Sequence, residues 1–424
     1  MLARQAILKA SKATYATAAY QASNGIKVFS TEEPGQTAAL ALVVKGGARA
    51  ESKEQAGVAH FLKNYGFKNN VNRTAFRIAR EAELAGGVLS SNLTHESLVY
   101  SAEFLKEDVA LFAELLGDIL QQKYQDHEFV DVAHQTAGES ANALSTPEIV
   151  ALEAAHQVAF RSGLGNSIFA KRSARVNNAT VKSFAQQVFT QDNVVLVGSG
   201  ISHEVLADLA ESFVTLPQGS NLPATQYHGG ESRIESTGQS QFVLGFQGAA
   251  ANTKEYAAFE VLRQALGGEV FVKSTAGSGL LAKAATKFSQ GTSLKAFNLG
   301  YSDAGLFGIQ IAADSSEIAN AAAAAAEQLK AVSAGLDGAE FERAVNQAKY
   351  ATLAGLETRL DRVQTVGTNA LFGQVSTASE AATAIAGVTA SDVSEVASKL
   401  LKSKSTSVAL GDLARLPYAD SLSL

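Results

Sequence analysis

The stretch TAALALVVKGG at residues 37–47 decides the fold, because it is an apolar run of strand length that ends in two glycines. Such a run bounded by a turn signal predicts a buried strand. An amphipathic helix is predicted to follow from Glu54 to about Tyr65. Roughly 200 residues later the pattern recurs, with QFVLGFQGA at 241–249 as a strand and Lys254–Leu266 as a helix.

The repeat continues along both halves of the chain. LVYSAEF at 98–104 precedes a predicted helix from Glu107 to Leu120, as LFGIQIA at 306–312 precedes one from Ser316 to Leu329. A repeat fixes the architecture, although a chance agreement in element order is the alternative. We predict an α+β fold of two homologous units of about 200 residues each, in which a mixed β-sheet carries helices on one face.

Composition excludes several classes of function. The chain has 424 residues with 46% hydrophobic content and no Cys, which excludes disulfide scaffolds, thiolate metal sites and cysteine nucleophiles. No apolar run reaches the ~18 residues needed to span a membrane, so no transmembrane segment is expected. The net charge of −6 argues against nucleic acid as a partner. Charged residues make up only 18% against a typical ~25%, which suggests a surface that faces other protein.

The first 31 residues differ from the rest in charge, since they contain four basic residues and no acidic one. The opening MLARQAILKASKATYATAAY places apolar and basic residues on a helical pattern with interspersed Ser and Thr. This pattern predicts a mitochondrial transit peptide over residues 1–20. Lys9 and Lys12 break the continuous apolar stretch that a secretory signal requires. The alternative is a solvated basic tail of a cytosolic protein.

Residues 215–238 separate the two units. They include Pro217 and Pro223, two of only five prolines, together with several Gly and Ser residues, so we predict an exposed linker. The expected boundaries are therefore an N-terminal unit at 21–214, the linker at 215–238 and a C-terminal unit at 239–424.

The candidate site lies in GVAHFLKNYGF at residues 57–67, on a predicted helix. Residues three and four positions after His60 share its face, and these are Lys63 and Asn64. An H-x-x-E-H zinc peptidase needs His at the first and last of these positions as ligands, and Glu between them as the base. Only His60 matches that requirement.

The same segment resembles the pitrilysin-type metallopeptidases, whose signature reads G-x-A-H-F-L-E-H-x-x-F. GGVLSSNLTHESLVYSAEF at 86–104 is similar to the strand pair that follows the signature in that family. The resemblance extends from about residue 25 to the end, and it implies the two-unit fold. In the family a distal Glu completes the zinc site, and Glu139 falls within one residue of its spacing.

The two replacements remove the chemistry that the family performs. The Asn64 amide is a poor zinc ligand, and the Lys63 ammonium cannot accept a proton. At ~4 Å and an effective dielectric of ~20, one positive charge beside Zn²⁺ is repelled by on the order of 8 kcal/mol, as an upper bound. We therefore predict no catalytic residue, no metal ligand and no cofactor. An active zinc peptidase is the alternative that metal analysis would test.

A narrower resemblance rests on QALGGEVFVKSTAGSGLLAKAATK at 264–287 and on residues 139–173, which are similar to the core subunit 2 family of respiratory complex III. It implies a non-catalytic scaffold, peripheral on the matrix side of the mitochondrial inner membrane. Its implied partners are a second core subunit of the same fold, cytochrome b and other membrane subunits, within a dimeric complex. The alternative is the presequence-recognising, non-catalytic alpha-type subunit of mitochondrial processing peptidase, with 264–287 as its binding loop.

Two further patterns favour ordinary structural roles. Gly277, Gly279 and Ala282 fit the dinucleotide fingerprint G-x-G-x-x-A, but the polar residues before them do not form the buried strand that it needs, so we predict a surface loop. His127 and His134 lie seven residues apart without a third ligand, and we interpret them as ordinary polar positions. The chain also offers no recognisable ligands for haem or an iron-sulfur cluster.

Overall fold

The computed structural model describes residues 17–422 except for 23, 173, 220–222, 252, 269–276 and 372–377. Within these residues the strands form two sheets. The first sheet contains, in spatial order, β1 (Thr17–Gln21), β2 (Lys27–Thr31), β6 (Val194–Ser199), β3 (Thr37–Val44), β5 (Leu98–Leu105) and β4 (Val88–Leu93). The second contains β7 (Gly230–Glu235), β11 (Thr406–Gly411), β8 (Ser240–Gly248), β10 (Gly305–Ala313) and β9 (Ser293–Gly300).

The two sheets share one topology, which confirms the predicted repeat. The order β2-β6-β3-β5-β4 of the first sheet corresponds position by position to β7-β11-β8-β10-β9 of the second. In each sheet one pair is parallel, β2 with β6 and β7 with β11, and the other pairs are antiparallel. The mixed sheets and the α+β class are as predicted. Strand β1 is an additional edge strand of the first sheet, paired with β2.

Helices connect the strands of each unit. The first half contains α1 (Val58–Tyr65), α2 (Ala75–Leu84), α3 (Val109–Gly117), α4 (Asp126–Leu144), α5 (Pro147–Phe160), α6 (Asn178–Val188) and α7 (His203–Glu211). The second half contains α8 (Lys254–Leu266), α9 (Leu280–Ala285), α10 (Ile318–Ala334), α11 (Gly338–Ala354), α12 (Arg359–Leu371), α13 (Ala378–Ala386) and α14 (Ala390–Lys402). None of the helices in the described residues has both the length and the apolar character to cross a membrane.

The apolar run of β3 is buried on both faces of the first sheet. Ala38, Leu40, Leu42 and Val44 belong to the core formed with the helices of the first half. The alternate residues Ala39, Ala41 and Val43 pack instead with Val363, Ala370 and Leu371 of α12. Because successive side chains of a strand point to opposite faces, a strand covered on both faces reads as a continuous apolar run.

The covering helices are exchanged between the halves. Helix α12 from the second half lies on the first sheet, while α5 from the first half packs against β8 and β11 of the second sheet. The prediction that helices pack on one face is therefore incomplete. Each sheet carries the helices of its own unit on one face and a helix of the other unit on the opposite face.

Two helix boundaries differ from the sequence-based expectation. The helix expected from Glu54 is a 3₁₀ turn at Lys53–Gln55, and α1 begins only at Val58, after Gly57 with a φ of 88°. The helix expected at 107–120 is divided into α3 and flanking 3₁₀ turns at Lys106–Asp108 and Asp118–Gln121. Apolar periodicity does not distinguish 3₁₀ from α-helical turns, which accounts for both differences.

The structure places strands within two of the expected segments, the linker and the end of the transit peptide. Residues 230–235, assigned to the linker at 215–238, form β7, whose parallel pairing with β11 makes it the counterpart of β2. Its polar sequence GESRIE lacks an apolar pattern because β7 is a half-exposed edge strand. Of the expected transit peptide at 1–20, residues 1–16 lie outside the described residues, and 17–20 belong to β1.

Buried polar groups join the two halves. Arg49, with 8% of its surface exposed, donates hydrogen bonds to Asp303 at 2.8 and 2.7 Å and to Ser302 at 2.9 Å, and it forms an ion pair with Glu96. Beside it the His156 ring stacks on His95 at 4.3 Å between centroids, and its Nε2 lies 2.6 Å from the Tyr301 hydroxyl. The contacts of Arg49 with Asp303 and of His156 with Tyr301 join residues more than 140 positions apart in the sequence.

Candidate functional site

A buried carboxylate accepts hydrogen bonds from backbone N–H groups at the start of helix α1. Glu51 accepts hydrogen bonds from the backbone N–H of Gly57 and of Ala59, each at 2.8 Å. Gly57 adopts a left-handed conformation that glycine tolerates, and a Cβ there would lie 2.9 Å from Ala170. Burial raises the pKa of Glu51 to about 7, although the two hydrogen bonds oppose that shift. The sequence analysis did not identify Glu51.

Three side chains of α1 converge on one carboxylate oxygen of α4. Glu139 Oε2 lies 2.7 Å from His60 Nε2, 2.7 Å from Lys63 Nζ and 3.2 Å from Asn64 Nδ2. Lys63 and Asn64 follow His60 by three and four positions, so the three side chains lie on the same face of α1, as the sequence predicts. The structure also brings Glu139 to that face. The four residues singled out from the sequence therefore form one cluster.

Further side chains of α4 complete the cluster. Gln135 Nε2 donates to Glu139 Oε1 at 2.9 Å and to Asn64 Oδ1 at 3.2 Å, while Asn64 Nδ2 donates to Thr136 Oγ1 at 2.9 Å. Gln135 and Thr136 were not singled out from the sequence. Their positions four and three residues before Glu139 place them on the same face of α4, which is the signal that identifies them once Glu139 is assigned to a helix.

The hydrogen bonds of His60 define its charge state. The backbone N–H of Ala170 donates to Nδ1 at 3.3 Å, so Nδ1 is an acceptor and Nε2–H is the donor to Glu139. The ring is only 2% exposed, and the ring of Phe169 meets it edge-on at 6.0 Å. Burial lowers the pKa of His60, the positive charge of Lys63 lowers it further, and Glu139 opposes both effects. His60 is therefore a neutral donor at physiological pH.

The carboxylate at the centre of the cluster stays ionised. Partial burial of Glu139 favours its protonated form, but hydrogen bonds from Lys63, Gln135, His60 and Asn64 together lower its pKa to about 2. Since a third of the side chain is exposed, solvent screens part of this attraction. The arrangement is a charge-assisted junction between α1 and α4.

The donor set does not fit the zinc ion that the family resemblance implies. A tetrahedral site needs at least three N, O or S ligands that can face the metal, yet Lys63 presents an ammonium to the same oxygen that would bind it. Asn64 turns its amide nitrogen toward Glu139, so its oxygen points away from that carboxylate. No group of three or more His, Cys, Asp or Glu side chains that could hold a metal occurs in the described part of the chain. The cluster also lacks a free base that could activate water.

The other sequence motifs lie apart from this cluster. His127 and His134 are both exposed on α4. Gly279 precedes α9, where a Cβ would lie 2.6 Å from the backbone oxygen of Leu266, so this glycine permits close backbone packing. Gly277 has a φ of 77°, a conformation that suits glycine. The preceding residues 269–276 of the Gly-containing loop lie outside the described residues.

Comparison with known proteins identifies the family. Residues 27–172 match the family model described as "Insulinase (Peptidase family M16)", and residues 175–348 match "Peptidase M16 inactive domain". The chain is 37% identical over 95% of its length to cytochrome b-c1 complex subunit 2, mitochondrial, of Cryptococcus neoformans, with 94% of that protein covered. It is 36% identical over 94% of its length to the protein of that name from Neurospora crassa, with 90% of the relative covered.

The match extends to animals. The human protein of that name is 30% identical over 94% of this chain, and 90% of its own length is covered. These findings confirm the resemblance noted from GVAHFLKNYGF and from residues 264–287. The relatives match at least 94% of this chain, and the two M16 family models match residues 27–172 and 175–348, so this chain belongs to the M16 peptidase family and, within it, to the mitochondrial cytochrome b-c1 complex subunit 2 proteins.

Proposed function

We propose that the chain is a non-catalytic core subunit of mitochondrial respiratory complex III, the complex that transfers electrons from ubiquinol to cytochrome c. Its role is that of a scaffold for assembly and stability. One observation carries the proposal: the Lys63 ammonium lies 2.7 Å from Glu139, at the position where an H-x-x-E-H peptidase requires a base beside its metal. The chain keeps the fold of an M16 peptidase without the zinc ligands and base of an H-x-x-E-H site. The curated relatives are subunits of the cytochrome b-c1 complex.

The proposed partners are a second core subunit of the same fold, cytochrome b and the other membrane subunits, in a dimeric complex. Exposed apolar side chains support an assembled state. Of the ten large apolar side chains exposed among the described residues, four fall within residues 71–88: one before α2, two on α2 and one at the start of β4. Phe76 is 72% exposed and Leu84 is 88% exposed, which is costly in water unless another surface covers them.

The proposed location is the matrix face of the inner mitochondrial membrane, with the chain held there by protein contacts. The basic N-terminus supports import through a transit peptide. Because residues 17–21 pair with β2, we expect cleavage before Thr17, so that the edge strand remains in the mature protein. Mass spectrometry of the mature N-terminus tests this expectation.

The decisive experiment is purification of the tagged full-length chain from mild-detergent extracts of mitochondria. Co-purification with cytochrome b and a second core protein is expected. Phe76→Asp combined with Leu84→Asp should reduce this co-purification, whereas Val205→Asp on α7 serves as a matched exposed-apolar control. Recovery with a soluble H-x-x-E-H protein and without cytochrome b would instead support the alternative, a subunit of processing peptidase.

Matrix location is tested separately on isolated mitochondria. The protein should resist protease while the inner membrane is intact and should be released from membranes at alkaline pH. Digestion in mitoplasts with an intact inner membrane would contradict the matrix assignment.

A further inference from the structure

A group of exposed positive charges lies beside the remnant of the peptidase site. Residues 154–191 contain five basic residues and no acidic one, although acidic residues outnumber basic ones 41 to 35 in the whole chain. Lys171, Arg172, Arg175 and Lys182, here called the basic cluster, fall within twelve positions of one another, and all four are exposed. Ser173 lies outside the described residues.

No member of the basic cluster forms an ion pair within the described chain, although the charge of Lys171 favours ionisation of the buried Glu153 against the effect of burial. Ion pairs recorded elsewhere engage cations such as Arg49, Arg73 and Arg362, but none involves a member of the cluster. Two carboxylates accept hydrogen bonds from the segment that carries the cluster. Asp126 accepts a hydrogen bond from Asn178 at 3.0 Å, and Glu153 is buried and accepts one from the backbone N–H of Ile168 at 3.1 Å.

The cluster is held on both sides by contacts to α1. Before it, the N–H of Ala170 bonds to His60, and Ala170 and Ala174 lie against Gly57. After it, the Tyr65 hydroxyl donates to Asn178 at 3.0 Å at the start of α6. Lys182 is the fifth residue of α6, about 6 Å along the helix axis from Asn178. The positive end of the α6 dipole adds to the same field.

We propose that the basic cluster is a docking surface for an acidic polypeptide segment of a partner protein. Complementary charge steers association, and a cationic presequence would be repelled. A membrane surface is a poorer fit, because none of the large exposed apolar residues falls within 161–182, and interfacial segments pair their cations with apolar anchors. The basic cluster is a property of the chain itself and does not depend on membership of complex III.

Binding of synthetic peptides to the purified full-length protein tests the proposal. A fluorescent peptide rich in Asp and Glu should bind, and its affinity should fall as salt is added. A Lys-rich peptide of the same length should not bind. The variant with Lys171→Glu, Arg172→Glu, Arg175→Glu and Lys182→Glu should lose affinity by about tenfold or more. The matched control changes Lys123, Lys254, Lys287 and Lys404 to Glu, all exposed at other places in the fold.

The outcomes separate specific docking from general charge effects. Retained affinity in the control, with loss in the cluster variant, supports the proposal. Equal loss of peptide affinity in both variants would show that only net charge matters. Stronger binding to anionic lipid vesicles or to an oligonucleotide would assign the surface to another class of partner. Either result overturns the proposal. Circular dichroism checks folding, and a milder set with Gln at the four cluster positions replaces the Glu set if that set unfolds.

Discussion

Lys63 Nζ lies 2.7 Å from Glu139 Oε2, and this ion pair joins α1 to α4 at the centre of the remnant peptidase site. The same oxygen is 2.7 Å from the neutral His60 ring. An ammonium group thus balances the carboxylate that a divalent cation would balance in a zinc peptidase. The consequence is a structural junction whose disruption should affect stability rather than catalysis.

Replacing Lys63 by Met should lower the free energy of unfolding by about 1 kcal/mol, because Glu139 loses its charged donor but keeps three neutral ones. Chemical denaturation measures the change. In the double variant with Glu139→Gln the two effects should not add, since the pair is in direct contact.

Lys53→Met is the matched control for this prediction, because Lys53 is exposed and forms no ion pair among the described residues. Its effect should stay within about 0.5 kcal/mol. Additive effects of Lys63→Met and Glu139→Gln would show that the ion pair does not contribute to stability.

Acid should destabilise the protein from about pH 6.5 downward, where unfolded histidines take up protons. Burial, together with the neighbouring His156, lowers the pKa of His95 to about 3. Burial also lowers the pKa of His156 to about 4 and lowers the pKa of His60. The stability from these neutral rings is complete above pH 6.5 and is lost as the pH falls toward those folded values. Glu51, whose raised pKa favours the protonated folded state, acts in the opposite direction.

The slope of unfolding free energy against pH measures this effect. His156→Gln, which keeps a polar group beside Tyr301, should reduce the proton uptake on unfolding by about one. An unchanged slope in that variant would mean that His156 is already protonated in the folded state.

The exchanged helix α12 gives a prediction from matched Gly→Ala substitutions. A Cβ at Gly367 would collide with Val43 and lie 3.1 Å from Val197 on the first sheet, so Gly367→Ala should destabilise by about 1–3 kcal/mol. Gly138, inside α4, has open space around it, so Gly138→Ala should stabilise by about 0.5–1 kcal/mol. The melting temperature should fall for Gly367→Ala and rise for Gly138→Ala. A shift in the same direction would contradict the close packing of α12 on β3.

Metal binding should be absent from the native chain and recoverable by two substitutions. Because Lys63 opposes a cation, a chelator should leave the melting temperature of the native protein unchanged. Lys63→Glu with Asn64→His, at the face shared with His60 and Glu139, should bind zinc. Zinc at about a hundredfold excess over its Kd should then stabilise the folded state by about 2.7 kcal/mol.

Adding His60→Ala to that pair should abolish the stabilisation by zinc. Metal analysis of dialysed samples provides an independent readout. Tightly bound zinc in the native chain would contradict the structural role assigned to Lys63.

Part of the site could be predicted from local spacing alone. His60, Lys63 and Asn64 share a face because a helix repeats every 3.6 residues, and the loss of zinc chemistry follows from their side chains. Glu139 was identified only through the family spacing, since nothing local indicates that α4 meets α1. The N–H of Ala170, which fixes the tautomer of His60, carries no sequence signal because every residue except proline has that donor.

The fold shows the same division. The apolar runs of β3 and β8, together with the repeated element order, were sufficient to predict two units of one α+β type. Strand β7 was missed because a half-exposed edge strand has little apolar pattern, and its pairing with β11 involves residues far away in the chain.

By itself the sequence determined most of the apolar strands and amphipathic helices, that the chain is built from two copies of one unit, and that the helix with His60 does not carry the complete H-x-x-E-H motif. Only the tertiary structure decided that α5 and α12 exchange places and that Lys63 closes on Glu139. Periodicity reports whether a face is buried, because burial constrains each residue's polarity. It does not report which distant segment covers that face, because many apolar partners satisfy the same pattern and only their joint packing selects one.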